Sequence, residues 1–294
     1  MIYKFKVLSW NISWGAMRAD EKSINDKTVY HLAHNICYMK HPNPSCLENV
    51  TNYIGYLSKK FDFIGLQELP DNIYKKKKGY TFEIINNINN LNNNRYSYIS
   101  TNFDIANVLT FFNKQKYILI NNVQGNLPPG GRPFHILFFK KINSDYYYII
   151  INLHNGHHNH INIVEQTISN SIDINIKIIK KFKLIVLGDF NDHGNYNYWL
   201  KLQPFKYVSN NLITNKLKNC IVKCTHTPPN TCCVGGIKLR IKLGDDKFYG
   251  DYILINEEDI IKLSLPSQQL FEYNARIKPT SDHLPIIGNI IFNE

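Results

Sequence analysis

Alanine is nearly missing from this chain, with five in 294 residues, whereas asparagine and isoleucine number about 40 each. That bias points to coding in an AT-rich genome, as in some protists or large DNA viruses, and says nothing about chemistry. No apolar run reaches the roughly 18 residues that a membrane-spanning helix needs. The longest, Tyr146 to Leu153, has the length of a strand. The start, Met1 to Leu8, lacks the charged, apolar and small-residue order of a signal peptide. A soluble intracellular protein, cytoplasmic or nuclear, is therefore expected. Pro/Gly/Ser-rich linkers and internal repeats are missing too. Acidic residues are in deficit: 34 Lys+Arg against 23 Asp+Glu leave a formal charge of +11. Global disorder is excluded by the 44% hydrophobic and 13% aromatic content. The basic excess predicts a polyanionic partner, met through phosphate neutralisation and electrostatic steering. Charge alone does not separate nucleic acid from phospholipid.

What is present is a series of short apolar runs. Tyr3–Asn11, Asp62–Leu66, Tyr146–Leu153 and Lys183–Leu187 are rich in Val, Ile, Leu, Phe or Tyr, as buried strands are. Tyr96–Thr101, Asn107–Phe112, Tyr117–Val123, Phe134–Lys140, Tyr252–Asn256 and Leu284–Phe292 read the same way. Helical spacing occurs in Leu47–Lys60, through Leu47, Val50, Ile54 and Leu57. It recurs from about Asn159 to Lys181, through Ile161, Val164, Ile168, Ile172 and Ile179. Strands mixed with a few helices along the whole length predict one mixed α/β domain over residues 1–294. Loop inserts are expected near 31–46, 86–94 and 220–236. The Asn-rich stretch Asn86–Asn94 is read as a surface loop or a frayed helix end, and Lys75–Lys78 as a solvated basic face.

The polar residues concentrate at the ends of these strands. Trp10-Asn11, Leu66-Gln67-Glu68, Asn152-Leu153-His154 and Gly188-Asp189-Phe190-Asn191 close four of them; Gly250-Asp251-Tyr252 and Ser281-Asp282-His283 open two more. Any one of these is an ordinary turn composition. Together they place carboxylates, carboxamides and imidazoles where strand ends of α/β proteins converge on a crevice. Hard oxygen ligands at Glu68, Asn11 and Asp282 suit Mg²⁺, with Mn²⁺ as a substitute. An imidazole paired with a carboxylate moves protons near neutral pH. Asp189 and Asn191, two residues apart, share one side of such a site, one orienting a water and the other donating to a phosphate oxygen.

These motifs, in this order and spanning residues 10 to 285, resemble the endonuclease/exonuclease/phosphatase superfamily. The resemblance implies a four-layer α/β/β/α sandwich of two mixed β-sheets flanked by helices, with the site at one end. It implies Glu68 as principal Mg²⁺ ligand with Asn11 and Asp282 nearby, His283 as catalytic imidazole held by Asp251, and Asp189 and Asn191 acting on water and phosphate. His154 matches the second histidine of the DNase I-like and phosphatase branches. Ser281-Asp282-His283-Leu284-Pro285 and Asp251-Tyr252-Ile253 lean toward the deadenylase-like branch, and the signature runs of inositol-polyphosphate 5-phosphatases are absent. The expected activity is a Mg²⁺-dependent phosphodiesterase, a nuclease acting on DNA or RNA. The alternatives are a phosphatase or sphingomyelinase-type lipid diesterase, or a non-catalytic polyanion-binding protein on the same scaffold.

The sequence also departs from that pattern. In DNase I-like relatives a Glu supports the second histidine from a central strand, but Ile105–Phe111 carries no carboxylate and Asp104 sits out of register. Asn107 is the candidate to position His154 and to meet substrate. Ser13 stands where repair endonucleases have Asp. Gly130-Gly131-Arg132-Pro133 reads either as a substrate-facing loop, with Arg132 gripping phosphate bidentately, or as a hairpin turn with a surface Arg. His157, His158 and His160 are read as polar loop residues. The six cysteines, Cys37, Cys46, Cys220, Cys224, Cys232 and Cys233, are expected reduced and lack the usual Cys-x2-Cys spacing of zinc sites.

Overall fold

Runs of β-branched and aromatic residues pair into twelve strands in the computed structural model, which describes residues 2–12, 51–55, 60–69, 80–103, 107–127, 131–156, 166, 182–191, 217–219, 251–256, 260–264 and 285–293. In chain order they are β1 (Ile2–Asn11), β2 (Phe63–Leu69), β3 (Tyr96–Ser100), β4 (Asn107–Asn113), β5 (Tyr117–Leu127) and β6 (Arg132–Lys141). They continue as β7 (Tyr147–His154), β8 (Phe182–Asp189), β9 (Leu217–Asn219), β10 (Asp251–Asn256), β11 (Ile260–Ser264) and β12 (Ile286–Asn293). Two six-stranded sheets result, ordered β11-β12-β1-β2-β4-β3 and β5-β6-β7-β8-β10-β9. Among these pairings, β1 with β2 and β7 with β8 are parallel and the rest antiparallel. Each parallel pair lies at the centre of its sheet. Read outward from it, both sheets have the same pattern of pairings, an equivalence that no repeat in the sequence announces.

Between the sheets lies an aromatic-rich core. Phe5, Phe63, Phe112, Tyr117, Phe139, Tyr148 and Phe292 pack with Val7, Ile150, Ile185, Leu187, Ile253 and Ile290. Phe5 stacks on Phe63 at 5.2 Å and on Tyr148 at 5.4 Å, within the range in which aromatic pairs add to simple burial. Burial, with the Asp62 charge next, pushes the Tyr117 hydroxyl's pKa up, so it stays protonated and shares a hydrogen bond with Tyr3. Because side chains alternate along a strand, Leu8, Trp10, Ile64, Leu66, Leu109 and Phe111 face the other side of the first sheet. A helix, α1 (Tyr80–Leu91), covers them with Ile84, Ile85 and Ile88, joined by Tyr53 and Ile54 of the helical stretch 51–55.

Helix α1 corrects the expected loop at 86–94: residues up to Leu91 are helical and only 92–94 turn away. The isoleucine stripe buried against the sheet outweighs the poor helix propensity of asparagine. The asparagines then end the helix. Asn92 Nδ2 donates to Ile88 O at 2.7 Å, Asn94 N donates to Asn89 O at 2.8 Å, and Asn93 and Asn94 adopt left-handed φ of 53° each. Strands β9 and β11 were not foreseen; both are short and lie at sheet edges. Of the expected helix 159–181, only residue 166 is described, and it is helical. The expected inserts 31–46 and 220–236, the basic run Lys75–Lys78 and all six cysteines lie outside the described residues. Among the described residues, no helix is long and apolar enough to cross a membrane.

Candidate active site

A parallel strand pair brings two C-terminal ends out side by side, and here two such pairs are stacked. The register Asn11↔Gln67 sets Asn11 beside the end of β2, and His154↔Asp189 sets those two side by side. Asn11 Nδ2 donates to Asp189 Oδ2 at 2.8 Å and to Glu68 Oε1 at 3.2 Å, linking the two sheets. His154 Nε2 lies 3.3 Å from Glu68 Oε1 and 3.9 Å from Asp189 Oδ2. Asn11, His154 and Asp189 are buried, and Glu68 is the member that reaches solvent, its side chain 18% exposed.

This donor set fits a divalent cation. One ligand atom each from Glu68, His154 and Asp189 lies within 4.8 Å of the others. Two carboxylates held that close repel each other, and a cation between them offsets the cost. The carboxylates also orient the Asn11 amide with its NH₂ toward them.

The backbone is shaped for this purpose at three points. Glu68 and Asn191 are non-glycine residues at left-handed φ, 54° and 49°. Such conformations persist where surrounding contacts over-determine them. Around Asn191 those contacts are explicit: its N donates to Asp189 Oδ1 at 3.0 Å and its Nδ2 to Asn155 O at 2.7 Å. Asn155 in turn donates from N to Asp189 O at 2.8 Å and from Nδ2 to Phe190 O at 3.0 Å. The third point is Gly188, at φ 149°, whose position Leu153 O crowds so closely that a Cβ there would lie 2.0 Å from it.

Below this layer runs a buried polar row: Ser9, Gln67, Thr110, His135 and Asn152, of which Ser9 and Asn152 lie two residues before Asn11 and His154 on their strands. Gln67 Nε2 donates to Asn152 Oδ1 at 2.8 Å, Asn152 Nδ2 to Thr110 Oγ1 at 3.1 Å, and Thr110 Oγ1 meets His135 Nε2 at 2.6 Å. Burial holds the His135 pKa down at about 3, from an ordinary 6.5. The unfolded chain therefore binds a proton as pH falls through 6.5 while the folded chain does not. Stability from this residue is full above that pH and is lost below it, by about 1.4 kcal/mol per pH unit. His135→Gln removes this loss. In urea titrations, the unfolding free energy of wild type relative to the variant should drop by about 2 kcal/mol between pH 7 and pH 5. A constant difference would mean that His135 titrates normally.

No family model matches the chain. An uncharacterised protein of Acanthamoeba polyphaga mimivirus is 29% identical over 298 residues, covering 98% of this chain and 51% of that protein. The chain thus spans about half the length of this curated relative. Among solved structures, an endonuclease/exonuclease/phosphatase from Bacteroides vulgatus aligns with TM-score 0.65 and 15% identity, covering 99% of this chain and 100% of that one. ANGEL2, a 2',3'-cyclic phosphatase, aligns with TM-score 0.64 and 14% identity over 99% and 95%. The human Nocturnin catalytic domain aligns with TM-score 0.57 and 14% identity over 100% and 97%. The chain has the endonuclease/exonuclease/phosphatase fold.

Within that fold, the structure brings Asn11, Glu68, His154, Asp189 and Asn191 together. Asp251 is buried and opens β10 directly opposite Asp189. Asp282 and His283, like Asp104, Ser13, His157, His158 and His160, lie outside the described residues. The register Ser9↔Ile286 nevertheless brings Pro285 to the Asn11 end of β1. Arg132 closes the β5–β6 hairpin opposite Leu127, so the hairpin alternative holds for its backbone. Because Phe134 pairs with Leu153, Arg132 also sits at the His154 end of its sheet.

Asn107 needs correcting. Its carboxamide is tied into its own turn, with Oδ1 accepting from Thr101 Oγ1 at 2.9 Å and Phe103 N at 2.8 Å, and Nδ2 donating to Phe103 O at 2.8 Å. The group facing His154 is instead Glu68, from the neighbouring strand of the same sheet. Sequence reasoning quoted Asn152 in a strand-end motif without giving it a role, and passed over Asn155 and Thr110. The available signal was alternation: Asn152 and His154 share one face of β7, where an apolar residue is the default.

Proposed function

We propose that this chain is a Mg²⁺-dependent phosphodiesterase whose substrate is nucleic acid, with residues 1–294 acting as one catalytic domain. The observation that carries the reading is the meeting of Asn11, Glu68, His154 and Asp189 at the adjoining ends of two parallel strand pairs. Glu68, which lies in the cluster with His154 and Asp189, would be the principal ligand of the metal, with Asn11 and Asp282 nearby as the family resemblance implies, and Mn²⁺ could replace Mg²⁺. Bound there, the cation supplies polarisation of a phosphoryl oxygen and compensation of charge on the leaving oxygen. Asp189, held at one oxygen by Asn191 N and at the other by Asn11 Nδ2, orients the attacking water. Asn191 keeps one Nδ2 hydrogen for a phosphate oxygen beyond the one given to Asn155 O. His154 and His283, the latter held by Asp251, stabilise charge and deliver the proton to the leaving oxygen. Arg132 grips a flanking phosphate from the hairpin end. The +11 charge supports a polynucleotide, because it raises the local concentration of an extended polyanion around an acidic site. A mimivirus relative supports a viral origin, in keeping with the AT-rich composition.

One observation favours a phosphatase as the second reading: the structural neighbour ANGEL2 is a 2',3'-cyclic phosphatase. A single panel separates the two. Wild type and His283→Ala are incubated with Mg²⁺ and single- and double-stranded DNA, RNA, a poly(A) oligomer, and RNA ending in a 2',3'-cyclic phosphate. Internal or stepwise cleavage, reduced at least about 100-fold in the variant, is the expected result. End-group conversion without chain cleavage selects the phosphatase. Equal activity in both proteins would remove His283 from the mechanism, and an inert wild type would remove the nuclease reading.

A further inference from the structure

We propose that Asn152 is a positioning residue that clamps the backbone bulge aiming Glu68 into the site. The bulge lies in β2. Leu66 pairs with Leu109 of β4 and Leu69 with Asn107, so Gln67 and Glu68 together face the single residue Val108. Two residues opposite one is the geometry that bends a strand and redirects a side chain. Glu68 sits inside it at φ 54°. A bulge also interrupts the hydrogen-bond ladder, so its carbonyls need other donors.

Asn152 provides them from the opposite sheet. Its Nδ2 is 3.3 Å from Leu66 O on β2 and 3.1 Å from Leu109 O on β4, the carbonyls of the last regular pair before the bulge. Its Oδ1 accepts from Gln67 Nε2, within the bulge, at 2.8 Å. Asn152 is fully buried, two residues beyond Ile150 of the apolar core on the same face of β7. An unpaired amide there would be costly, whereas this one reaches both the bulged strand and its partner. Space for it comes from Gly65: a Cβ at that position would stand 3.2 Å from Asn152 Nδ2 and 2.1 Å from Leu187 Cδ1. Two residues on, the same strand face carries His154, 3.3 Å from the carboxylate that the bulge aims. One side chain thus registers Glu68 against His154 across the two sheets.

This inference rests on the proposed metal role of Glu68, and the test reads the two apart. Mg²⁺ affinity is measured by calorimetry, alongside kcat and KM on the best substrate of the panel, for wild type, Asn152→Leu and Ile150→Ala. Ile150→Ala opens a cavity in the same strand and controls for lost stability. Asn152→Leu should weaken Mg²⁺ binding and lower kcat, each by about 10- to 100-fold, with KM changed much less. Ile150→Ala should keep both at a temperature where circular dichroism shows the variants folded. Should Asn152→Leu fail to fold, Gln67→Leu removes one arm of the clamp and should weaken Mg²⁺ binding in the same direction. Mg²⁺ affinity within twofold of wild type in the folded variant, or an equal loss in Ile150→Ala, would overturn the proposal, as would a wild type that binds no Mg²⁺. A wild type that binds Mg²⁺ but cleaves nothing fails the phosphodiesterase reading alone, and the affinities still decide the clamp.

Discussion

Glu68→Gln should lower phosphodiester hydrolysis by on the order of 10³-fold while leaving the metal-free protein at least as heat-stable as wild type. The two effects have one cause. Glu68 and Asp189 are carboxylates whose oxygens lie within 4.8 Å of each other, both directed at His154 and bridged by Asn11. The carboxamide that replaces the Glu68 carboxylate keeps an oxygen for the Asn11 amide but removes one of the two like charges. Electrostatic repulsion falls, as expected where a functional site is built at the expense of stability. On the proposed mechanism the same change removes the principal hard ligand, and with it several kcal/mol of transition-state stabilisation, at about 1.4 kcal/mol per factor of ten. A ligand present at 100 times its dissociation constant stabilises a fold by about 2.7 kcal/mol. Melting curves in chelator and in excess Mg²⁺ should therefore separate for wild type and coincide for Glu68→Gln. Activity within tenfold of wild type, or an unchanged Mg²⁺ shift, would show that Glu68 does not hold the metal.

Gly188→Ala should be among the most damaging single-methyl additions among the described residues. The added Cβ would stand 2.0 Å from Leu153 O and 2.9 Å from Leu153 C, both backbone atoms of the adjacent parallel strand. Backbone cannot turn aside as a side-chain tip can, so β7 and β8 must separate at the point where they present His154 and Asp189. The φ of 149° adds strain for any residue with a Cβ. A cost of about 4 kcal/mol is expected, lowering the melting temperature by about 10 °C, with loss of activity even where the protein remains folded. Gly131→Ala is the natural comparison, since Gly131 has φ 66° but nothing within 4 Å of its added Cβ. It should cost only about 1 kcal/mol. Equal melting temperatures for the two variants would mean that the close approach to Leu153 is relieved elsewhere.

Much of the strand framework was legible before any coordinates, because burial on a strand is written locally, in alternation and in β-branched or aromatic content. Tyr117–Val123 and Phe134–Lys140 grew to Leu127 and from Arg132 because hairpin pairing extends strands past their apolar centres. At 86–94 composition suggested a surface loop or a frayed helix end, and a buried isoleucine stripe carried the helix to Leu91. Edge strands β9 and β11, of three and five residues, are too short to leave a pattern.

The site divides along the same line. That Asn11, Glu68, His154 and Asp189 each terminate an apolar run is a property of the sequence alone, and it sufficed to nominate them. Their meeting depends on both parallel pairs lying centrally and on one sheet stacking over the other. These are contacts between residues 35 or more positions apart, and no local pattern encodes them. Hence the partner of His154 was sought at Asn107, on the strand that a family pattern indicated, and found at Glu68. Gly188 read as part of a motif until its neighbour's carbonyl was placed against it, and Asn152 stood in a motif without a role of its own until the bulge opposite it appeared. The sequence determined which strands form and which polar groups end them. The tertiary structure decided which of those groups touch, because their distances are set by sheet pairing and packing rather than by the chain between them.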